Sequence, residues 1–297
     1  MNKYLIFRTD RIGDFLLTAI LINSIKRNEP NSFITVVSSE KNYDYIKSFN
    51  LVDEVILLKN NFFDKIRLVK KLRKTYYEYL ILHDSKKRSS RISLFLKFRL
   101  KIKSNNNLDI SYIEIIKKIL SELNFNFIES DLDTLKHRNY NSLDYFNENF
   151  ILFHFDEKWI HSDYISEYTN IEPSKDAFIS FINLLLTVSN KKLIITTGMN
   201  CPNILNDILD NNLDSRIKIY KKLTFLDLEN LISKCSLLIS CHGSVSHVAA
   251  AHNIKQIDII DGKKLNFYSR WTAHFRCYLP LYRKKFSELS KQITQLL

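Results

Sequence analysis

The residues from Arg8 to Asp14 include two arginines, two aspartates and a glycine, and they directly follow an apolar run. The run, residues 4–7, is predicted to be a strand, and a helix is predicted from Asp14 onward. A helix N-terminus offers free N–H groups and a partial positive charge, and the guanidinium groups of Arg8 and Arg11 suit a carboxylate or a phosphate. Asp14 could simply cap this helix, a role that Asp fills well, but capping needs neither the arginines nor Gly13. The segment is therefore a candidate anion-binding site.

Glycine is rare in this chain, which makes each of its positions informative. The four glycines are Gly13, Gly198, Gly243 and Gly262. Each of them closely follows a short apolar run that is predicted to be a strand. Glycine lets a ligand or another backbone come close, and α/β proteins bind ligands at the carboxyl ends of their strands. No two glycines are close enough for G-x-G-x-x-G or G-x-x-x-x-G-K-[ST], so the sequence excludes the dinucleotide-binding fingerprint and the P-loop.

The length and composition predict a folded protein of about two domains. Of the 297 residues, 45% are hydrophobic, which is enough to bury a core. No apolar run reaches the ~18 residues of a membrane span, and the N-terminus lacks the pattern of a signal peptide. The four cysteines, Cys201, Cys235, Cys241 and Cys277, show no C-x-x-C spacing. The absence of this spacing argues against a zinc or redox site and fits a reducing cytoplasm.

The charge balance favours an anionic partner. Lys and Arg outnumber Asp and Glu by 44 to 32, a formal net charge of +12. A nucleotide, a phosphorylated glycan, an acidic membrane surface or a nucleic acid would suit this charge, but solvated surface lysines explain it equally well. The run Lys86-Lys87-Arg88-Ser89-Ser90-Arg91 is either a solvated basic loop or a site for an acceptor phosphate, a carboxylate or anionic lipid headgroups. A nucleic acid is disfavoured, because aromatic residues do not alternate with these bases and no binding motif is present.

The pattern of apolar segments predicts two α/β domains. In the first half, strands are predicted at residues 3–8, 33–38, 54–58 and 79–83, with helices at 14–27, 43–49 and 62–75. In the second half, strands are predicted at 150–155, 192–197, 216–220, 236–240 and 256–260, with helices at 175–189, 202–211, 224–234, 244–253 and 285–297. Strands that alternate with helices indicate βαβ units and parallel sheets. We therefore predict an α/β protein of two Rossmann-like α/β/α lobes with parallel sheets, 1–148 and 149–297, whose C-terminal helix could pack back on the first lobe.

Two distant segments resemble the motifs of one known family. Arg11-Ile12-Gly13-Asp14, followed by Phe15-Leu16-Leu17-Thr18, is similar to the N-terminal signature of glycosyltransferase family nine, the lipopolysaccharide heptosyltransferases. His242-Gly243-Ser244-Val245-Ser246-His247, with the alanines that follow, resembles the Asp-Thr-Gly-x-x-His-(Leu)-Ala-Ala-Ala segment of the family. Residues 154–159 are more weakly similar to its basic-plus-Trp segment.

The resemblance implies the GT-B architecture, with an acceptor on the N-terminal lobe and a nucleotide-sugar on the C-terminal lobe. It implies inverting transfer without a covalent intermediate, without an obligatory metal and without a cofactor other than the nucleotide-sugar co-substrate. Asp14 corresponds to the base of the family, which takes the proton of the acceptor hydroxyl. We expect the helix dipole and the nearby arginines to lower the pKa of Asp14. The implied acceptor is an anionic glycolipid or glycan of a lipopolysaccharide core, a lipooligosaccharide core or a capsule, met in the cytoplasm at the inner face of the inner membrane.

The candidate binding residues divide between the two lobes. The expected acceptor-binding residues are Arg8, Arg11, Gly13, Lys87 and Arg88. The expected donor-binding residues are Lys158, Gly198, His242, Gly243, Ser244, Ser246 and His247, where a helix that begins at Ser244 would hold the diphosphate. His247 is equally well explained as a packed residue, and Cys241 with the two histidines is a poor set of metal ligands.

The sequence also departs from the family on the donor side. His242 stands where the family has an acidic residue, and residues 199–202 lack the acidic residue that usually follows the glycine corresponding to Gly198. The donor therefore need not be an ADP-heptose. Two alternatives with the same layout remain open, namely a sugar-nucleotide epimerase and a non-catalytic nucleotide-sugar-binding protein.

Overall fold

The computed structural model describes residues 1–104, 109–136, 138, 149–160, 168–209 and 214–297. The chain divides into two compact units. The first unit comprises Met1–Arg138 and Ser269–His274, and the second comprises Asn139–Tyr268 and Phe275–Leu297. The domain boundary predicted between residues 148 and 149 adjoins residues 139–148, which lie outside the described residues.

The first unit is built on a five-stranded sheet whose pairs are all parallel. Its strands are β1 (Lys3–Phe7), β2 (Phe33–Ser38), β3 (Glu54–Leu57), β4 (Tyr76–Leu82) and β5 (Lys97–Lys103). Its helices are α1 (Ile12–Asn28), α2 (Tyr43–Lys47), α3 (Phe62–Leu72), α4 (Lys87–Ser93) and α5 (Tyr112–Glu122). The spatial order is β3-β2-β1-β4-β5, so β1 is central, with its Ile6 opposite Val36 of β2 and Ile81 of β4.

Burial on both faces of this sheet explains the apolar sequence of its central strand. Residues 4–7 of β1 are fully buried, as expected for a parallel strand covered by helices on both sides. On one face, Leu68 and Leu72 of α3 and Ile92 of α4 belong to the same buried cluster as Leu5 and Phe7 of β1. α1 packs against α5 and buries most of its 17 residues.

Two segments of the first unit differ from the sequence predictions. The basic run from Lys86 to Arg91, considered above as a loop, forms most of α4, because Ser89 and Ile92 of the same helix are buried. The segment Ser269–His274, which the sequence places in the second lobe, belongs to the first unit and contributes an aromatic side chain to it. The ring of Trp271 lies 3.9 Å from that of Tyr112, centre to centre.

The second unit is built on a six-stranded sheet, also parallel in every pair. Its strands are β6 (Phe150–His154), β7 (Lys192–Thr196), β8 (Ile217–Tyr220), β9 (Leu237–Cys241), β10 (Gln256–Ile260) and β11 (Tyr278–Tyr282). The helices of this half are α6 (Lys175–Ser189), α7 (Asn203–Leu209), α8 (Phe225–Lys234), α9 (Ser244–Ala251), α10 (Leu265–Thr272) and α11 (Phe286–Gln295). The spatial order is β11-β10-β9-β6-β7-β8. The two parallel sheets with interleaved helices confirm the predicted α/β fold class.

The C-terminal helix belongs to the second unit. α11 packs against α6 and inserts Phe286, Leu289 and Ile293 into the core of this unit. The ring of Phe286 meets that of Phe181 edge-on at 5.4 Å, centre to centre. The expectation that this helix returns to the first lobe is therefore wrong, because its apolar face is already buried against α6.

Candidate active site

Each sheet has one point at which the strand order reverses, between β1 and β4 in the first unit and between β6 and β9 in the second. The loops that follow two such strands turn to opposite faces of the sheet and leave a crevice at its carboxyl edge. Most of the candidate residues lie on these four loops or on the first turns of the helices that follow them. The fold therefore places each group of candidates where ligands of α/β proteins bind.

Asp14 lies in the first turn of α1 with one of its carboxylate oxygens fixed. The helix begins at Ile12 with Arg11 in the N-cap position, so Asp14 is not the N-cap itself. Oδ2 of Asp14 accepts a hydrogen bond from the backbone N–H of Arg11 at 3.0 Å. Oδ1 accepts none from any group in the described part of the chain, and it is available to a substrate hydroxyl.

Burial raises the pKa of Asp14 above its usual value. The charge of Arg8 and the hydrogen bond from Arg11 act in the opposite direction but do not outweigh burial. The expected lowering of this pKa is therefore wrong, because the carboxyl group is desolvated as well as close to cations. A raised pKa makes Asp14 a stronger base than a surface aspartate.

Arg8 is held by a buried chain of hydrogen bonds. Its side chain is 3% exposed, and its Nε donates to Oγ1 of Thr18 at 2.6 Å. Oγ1 of Thr18 lies 2.9 Å from Nδ1 of His83. Burial, together with the charge of Arg8, holds the pKa of His83 well below its usual value, so a neutral imidazole shares this hydrogen bond with the hydroxyl of Thr18. Arg8 therefore contributes mainly its positive charge, beside Asp10 at 3.3 Å, rather than an exposed binding group.

The loops after β1 and β4 are joined by hydrogen bonds through a buried carboxylate. Oδ2 of Asp84 accepts from Oγ1 of Thr9 and from Oγ of Ser89, each at 2.6 Å. Nζ of Lys86 donates to the backbone oxygen of Thr9 at 3.2 Å and pairs with the carboxylate of Asp10. These bonds hold the cationic start of α4 next to the loop that leads to Asp14.

These two loops border a cavity of about 620 Å³ in the first unit. Its walls are formed by Thr9, Asp10, Arg11, Asp14, Ser39, Glu40, Lys41, Leu58, Asn60, Lys86 and Arg88. The predicted residues Arg11, Asp14 and Arg88 thus meet at one cavity. Lys87 is exposed on α4 and is not part of this wall, and Gly13 is buried within α1.

In the second unit, the loop after β6 positions Lys158 over a buried carboxylate. Asp156 is 3% exposed, and its Oδ2 lies 3.4 Å from both Nε2 of His154 and Nζ of Lys158. Although burial opposes it, the charge of Lys158 and the hydrogen bond from His154 hold the pKa of Asp156 well below its usual value. A permanently charged Asp156 therefore fixes the ammonium group of Lys158.

Two of the rare glycines are explained by this same loop. A Cβ atom on Gly243 would collide with Nζ of Lys158, and one on Gly198 would collide with the carboxylate of Glu157. Gly243 has an extended backbone with φ of 175°, so its conformation does not require glycine, but any side chain there would displace the end of Lys158. Gly198 and Gly243 thus lie directly against the loop that carries Lys158.

His242 is held by a carboxylate that the sequence analysis did not identify. Its Nδ1 lies 2.7 Å from Oδ2 of Asp258, which is fully buried on β10. Oδ1 of Asp258 accepts from Oγ of Ser246 at 2.8 Å, and Ser246 in turn accepts the backbone N–H of Gly243 at 3.1 Å. The side chain of His242 is 12% exposed, and no other group in the described ranges is hydrogen-bonded to its ring. Because Asp258 fixes Nδ1, Nε2 of His242 is available to a ligand.

The remaining donor-side candidates differ in how they are placed. Ser244 is the first residue of α9, where backbone N–H groups have no partner within the helix. Ser246 is fully buried and its hydroxyl serves the network around Asp258. His247 is 6% exposed and packs its ring edge-on against those of His242 and Phe275, at 5.6 and 5.2 Å.

The sequence held one signal that could have identified Asp258. It lies in the middle of an apolar run that was predicted to be a buried strand, and a buried charge requires a partner. Within the described ranges, no three side chains of His, Cys, Asp or Glu lie close enough together to hold a metal ion.

No family model and no curated protein matches this chain. Solved structures, in contrast, match over its whole length. The E. coli heptosyltransferase WaaC with ADP has a TM-score of 0.74 at 12% identity, over 99% of this chain and 98% of that chain. A glycosyl transferase of family 9 from Veillonella parvula has a TM-score of 0.67 at 14% identity, over 100% of this chain and 90% of that chain. A UDP-GlcNAc 2-epimerase from Methanocaldococcus jannaschii has a TM-score of 0.60 at 12% identity, over 100% of this chain and 92% of that chain. The protein therefore has the GT-B-like α/β fold found in heptosyltransferases of glycosyltransferase family nine.

Proposed function

We propose that this protein is an inverting glycosyltransferase that moves a heptose or a related sugar from a nucleotide donor to an anionic glycan. The acceptor we propose is a lipopolysaccharide or lipooligosaccharide core or a capsule, met at the cytoplasmic face of the inner membrane. The observation that carries the proposal is Asp14, a partly buried carboxylate with one oxygen fixed and one available, in the wall of a cavity that also includes Arg11, Lys86 and Arg88. The similarity in fold to a heptosyltransferase with ADP supports it.

In the proposed reaction, Oδ1 of Asp14 takes the proton of an acceptor hydroxyl as its oxygen attacks the anomeric carbon of the sugar. The new glycosidic bond forms while the bond from that carbon to the diphosphate breaks, and the electron pair leaves with the diphosphate. Attack from the side opposite the leaving group inverts the anomeric carbon. The raised pKa of Asp14 favours the proton transfer.

The second unit offers groups that suit the departing diphosphate. The ammonium of Lys158 and the N–H groups at the start of α9 are positive, and such groups stabilise charge that develops on a leaving group. Nε2 of His242 can bind either the diphosphate or the sugar. We propose that these groups, together with Gly198 and Gly243, bind the donor without a metal ion.

The proposal is tested first by the binding of nucleotide-sugars. A ligand that binds the folded state raises the melting temperature, so we expect one of ADP-, GDP-, UDP- or CDP-sugars to do so. Lys158→Ala should weaken this shift, whereas Lys175→Ala, a change at an exposed lysine on α6, should leave it unchanged. If none of these donors shifts the midpoint at millimolar concentration, the transferase proposal fails.

A second candidate function is favoured by the similarity in fold to UDP-GlcNAc 2-epimerases. An epimerase would convert the sugar or release free nucleotide with no acceptor present, and a non-catalytic binding protein would do neither even with an acceptor. Incubation of the protein with its preferred donor, with and without an acceptor glycan, separates these three functions.

A further inference from the structure

The excess positive charge of the chain comes from one stretch of sequence. Residues 59–103 contain 15 of the 44 Lys and Arg but only 3 of the 32 Asp and Glu, which accounts for the whole net charge of +12. The remaining residues are neutral in sum. Solvated lysines spread evenly over the surface would not produce this distribution.

The folded structure gathers much of this charge on one side of the first sheet. α3 and α4 share one buried cluster beneath them, through Leu68 and Leu72 on α3 and Ile92 on α4. The starts of the two helices are joined where Nη1 of Arg88 donates to Oδ1 of Asn60 at 2.8 Å. The exposed residues of 59–74 and 87–95, including six lysines and arginines of the first range and two of the second, form what we call the α3–α4 surface.

Large apolar side chains are exposed on this same surface. Phe62 and Phe63 at the start of α3 are 69% and 72% exposed, and Leu94 and Phe95 at the end of α4 are 74% and 61% exposed. Elsewhere in the described ranges, only Met1 and Met199 among the large apolar residues exceed 60%. These four side chains lie at the start of α3 and at the end of α4, on the same two helices as the exposed lysines and arginines, and large exposed apolar groups in such a setting mark an interaction surface.

We propose that the α3–α4 surface docks on a bilayer of anionic phospholipids. Phenylalanine and leucine side chains enter the interface between headgroups and acyl chains, and the surrounding lysines and arginines bind the headgroups. A nucleic acid would use the same charges, but it binds aromatic rings through stacking along a groove, and here the apolar residues are at helix ends. The surface adjoins the cavity beside Asp14, since Asn60 belongs to both and accepts a hydrogen bond from Arg88, which also lines the cavity.

The α3–α4 surface would be the membrane contact of the proposed glycosyltransferase. Only the purpose of this contact, which is to reach an acceptor in the bilayer, rests on the proposed function. None of the described helices has the length and apolar character to cross a bilayer. An acceptor anchored in the same bilayer would meet the cavity at the membrane surface.

Vesicle co-sedimentation of the whole chain tests the inference. We expect binding to vesicles of equal parts phosphatidylcholine and phosphatidylglycerol, no binding to pure phosphatidylcholine, and weaker binding as salt rises. Phe62→Ser/Phe63→Ser should lower the partition coefficient about tenfold or more, because two apolar side chains no longer leave water. Lys70→Glu/Lys74→Glu should lower it by a similar factor of about tenfold or more, since each charge near the surface contributes about fivefold.

Matched controls separate this surface from general exposure and charge. Met199→Ser removes an apolar side chain of equal exposure (74%) in the second unit, and Lys175→Glu/Lys291→Glu reverses two exposed lysines there. Neither should change vesicle binding. Unchanged melting temperatures would show that all these variants fold.

Three results would overturn the inference. They are equal binding to neutral vesicles, equal losses in the control variants, and tight binding of single-stranded RNA that the phenylalanine and lysine variants reduce in place of vesicle binding. The melting shift with nucleotide-sugars is measured on the same variants. If no nucleotide-sugar shifts the melting temperature of the wild type although it binds vesicles, the proposed function fails and the docking surface stands. A shift in the wild type without vesicle binding removes only the surface.

Discussion

Replacement of Asp14 by asparagine should separate its chemical role from its structural one. The amide oxygen of Asn can accept the backbone N–H of Arg11 as Oδ2 of Asp14 does at 3.0 Å. The amide cannot take a proton, however, so turnover should fall by roughly 10²–10⁴, the usual contribution of a positioned base. This factor corresponds to an increase of about 3–5 kcal/mol in the activation free energy.

The effect of Asp14→Asn on stability should be small, because two effects oppose each other. Exchange of the charge-assisted hydrogen bond from Arg11 for a neutral one costs about 0.5–1.5 kcal/mol, whereas the buried site no longer has to desolvate a carboxylate. Asp14→Ala also loses the acceptor and should lower the free energy of unfolding by about 0.5–2 kcal/mol.

The pH dependence of these effects follows from the raised pKa of Asp14. A carboxyl group with a raised folded-state pKa adds stability below its ordinary pKa of about 3.9, and this contribution is lost as the pH rises through the raised value. At neutral pH the two opposing effects described above should leave the melting temperature of the Asn variant within about 2–4 °C of that of the wild type. The acid limb of the kcat/KM profile of the wild type should lie above pH ~3.9.

The assay is steady-state transfer from the preferred nucleotide-sugar, run beside thermal melting. Asp227→Asn is a matched control, since Asp227 is also partly buried in the first turn of its helix, α8, and its Oδ2 accepts a hydrogen bond from Thr224. It should leave turnover unchanged. Wild-type turnover in Asp14→Asn would refute the assignment of Asp14 as the base.

Two further changes test the second unit. Gly243→Ala places a Cβ where Nζ of Lys158 lies and so displaces this ammonium group. Calorimetric titration should then show donor affinity reduced about tenfold or more, because a charge-assisted contact is lost. Unchanged affinity would contradict a role of Lys158 in donor binding. Asp258→Asn removes the buried charge that holds both Ser246 and His242, so the free energy of unfolding from denaturant titration should fall by about 1–3 kcal/mol. A midpoint equal to that of the wild type would show that the network around Asp258 does not stabilise the fold.

The sequence predicted the central elements of the fold better than its edges. The strands that were missed, β5 and β11, both lie at the edge of a sheet. β5 alternates basic and apolar residues from Lys97 to Lys103, and β11 contains Pro280, which is tolerated in an edge strand. Neither shows the continuous apolar run of a strand that is covered on both faces, such as β1.

The candidate site was predictable only where it is local in sequence. The segment from Arg8 to Asp14 is contiguous, and its position after β1 followed from the apolar run before it. The partners that adjust this site come from other strands. Thr18 and His83 are 65 residues apart in the sequence but only 2.9 Å apart in space. The pKa of Asp14 was predicted in the wrong direction because burial is a property of the folded packing and is not visible in the residues beside it.

The assignment of Ser269–His274 to the first unit affects the order in which the chain can fold during synthesis. All five strands of the first sheet precede residue 104. Trp271, whose ring packs on that of Tyr112, is synthesised only after five strands of the second sheet. Nε of Arg270, which donates to the backbone oxygen of Ile110 at 3.0 Å, is equally late. Domains emerge from the ribosome N-terminal first, so this unit passes most of its synthesis with the start of α5 uncovered. A fragment of residues 1–138 would keep that defect permanently, and its boundaries are therefore a poor choice for an isolated domain.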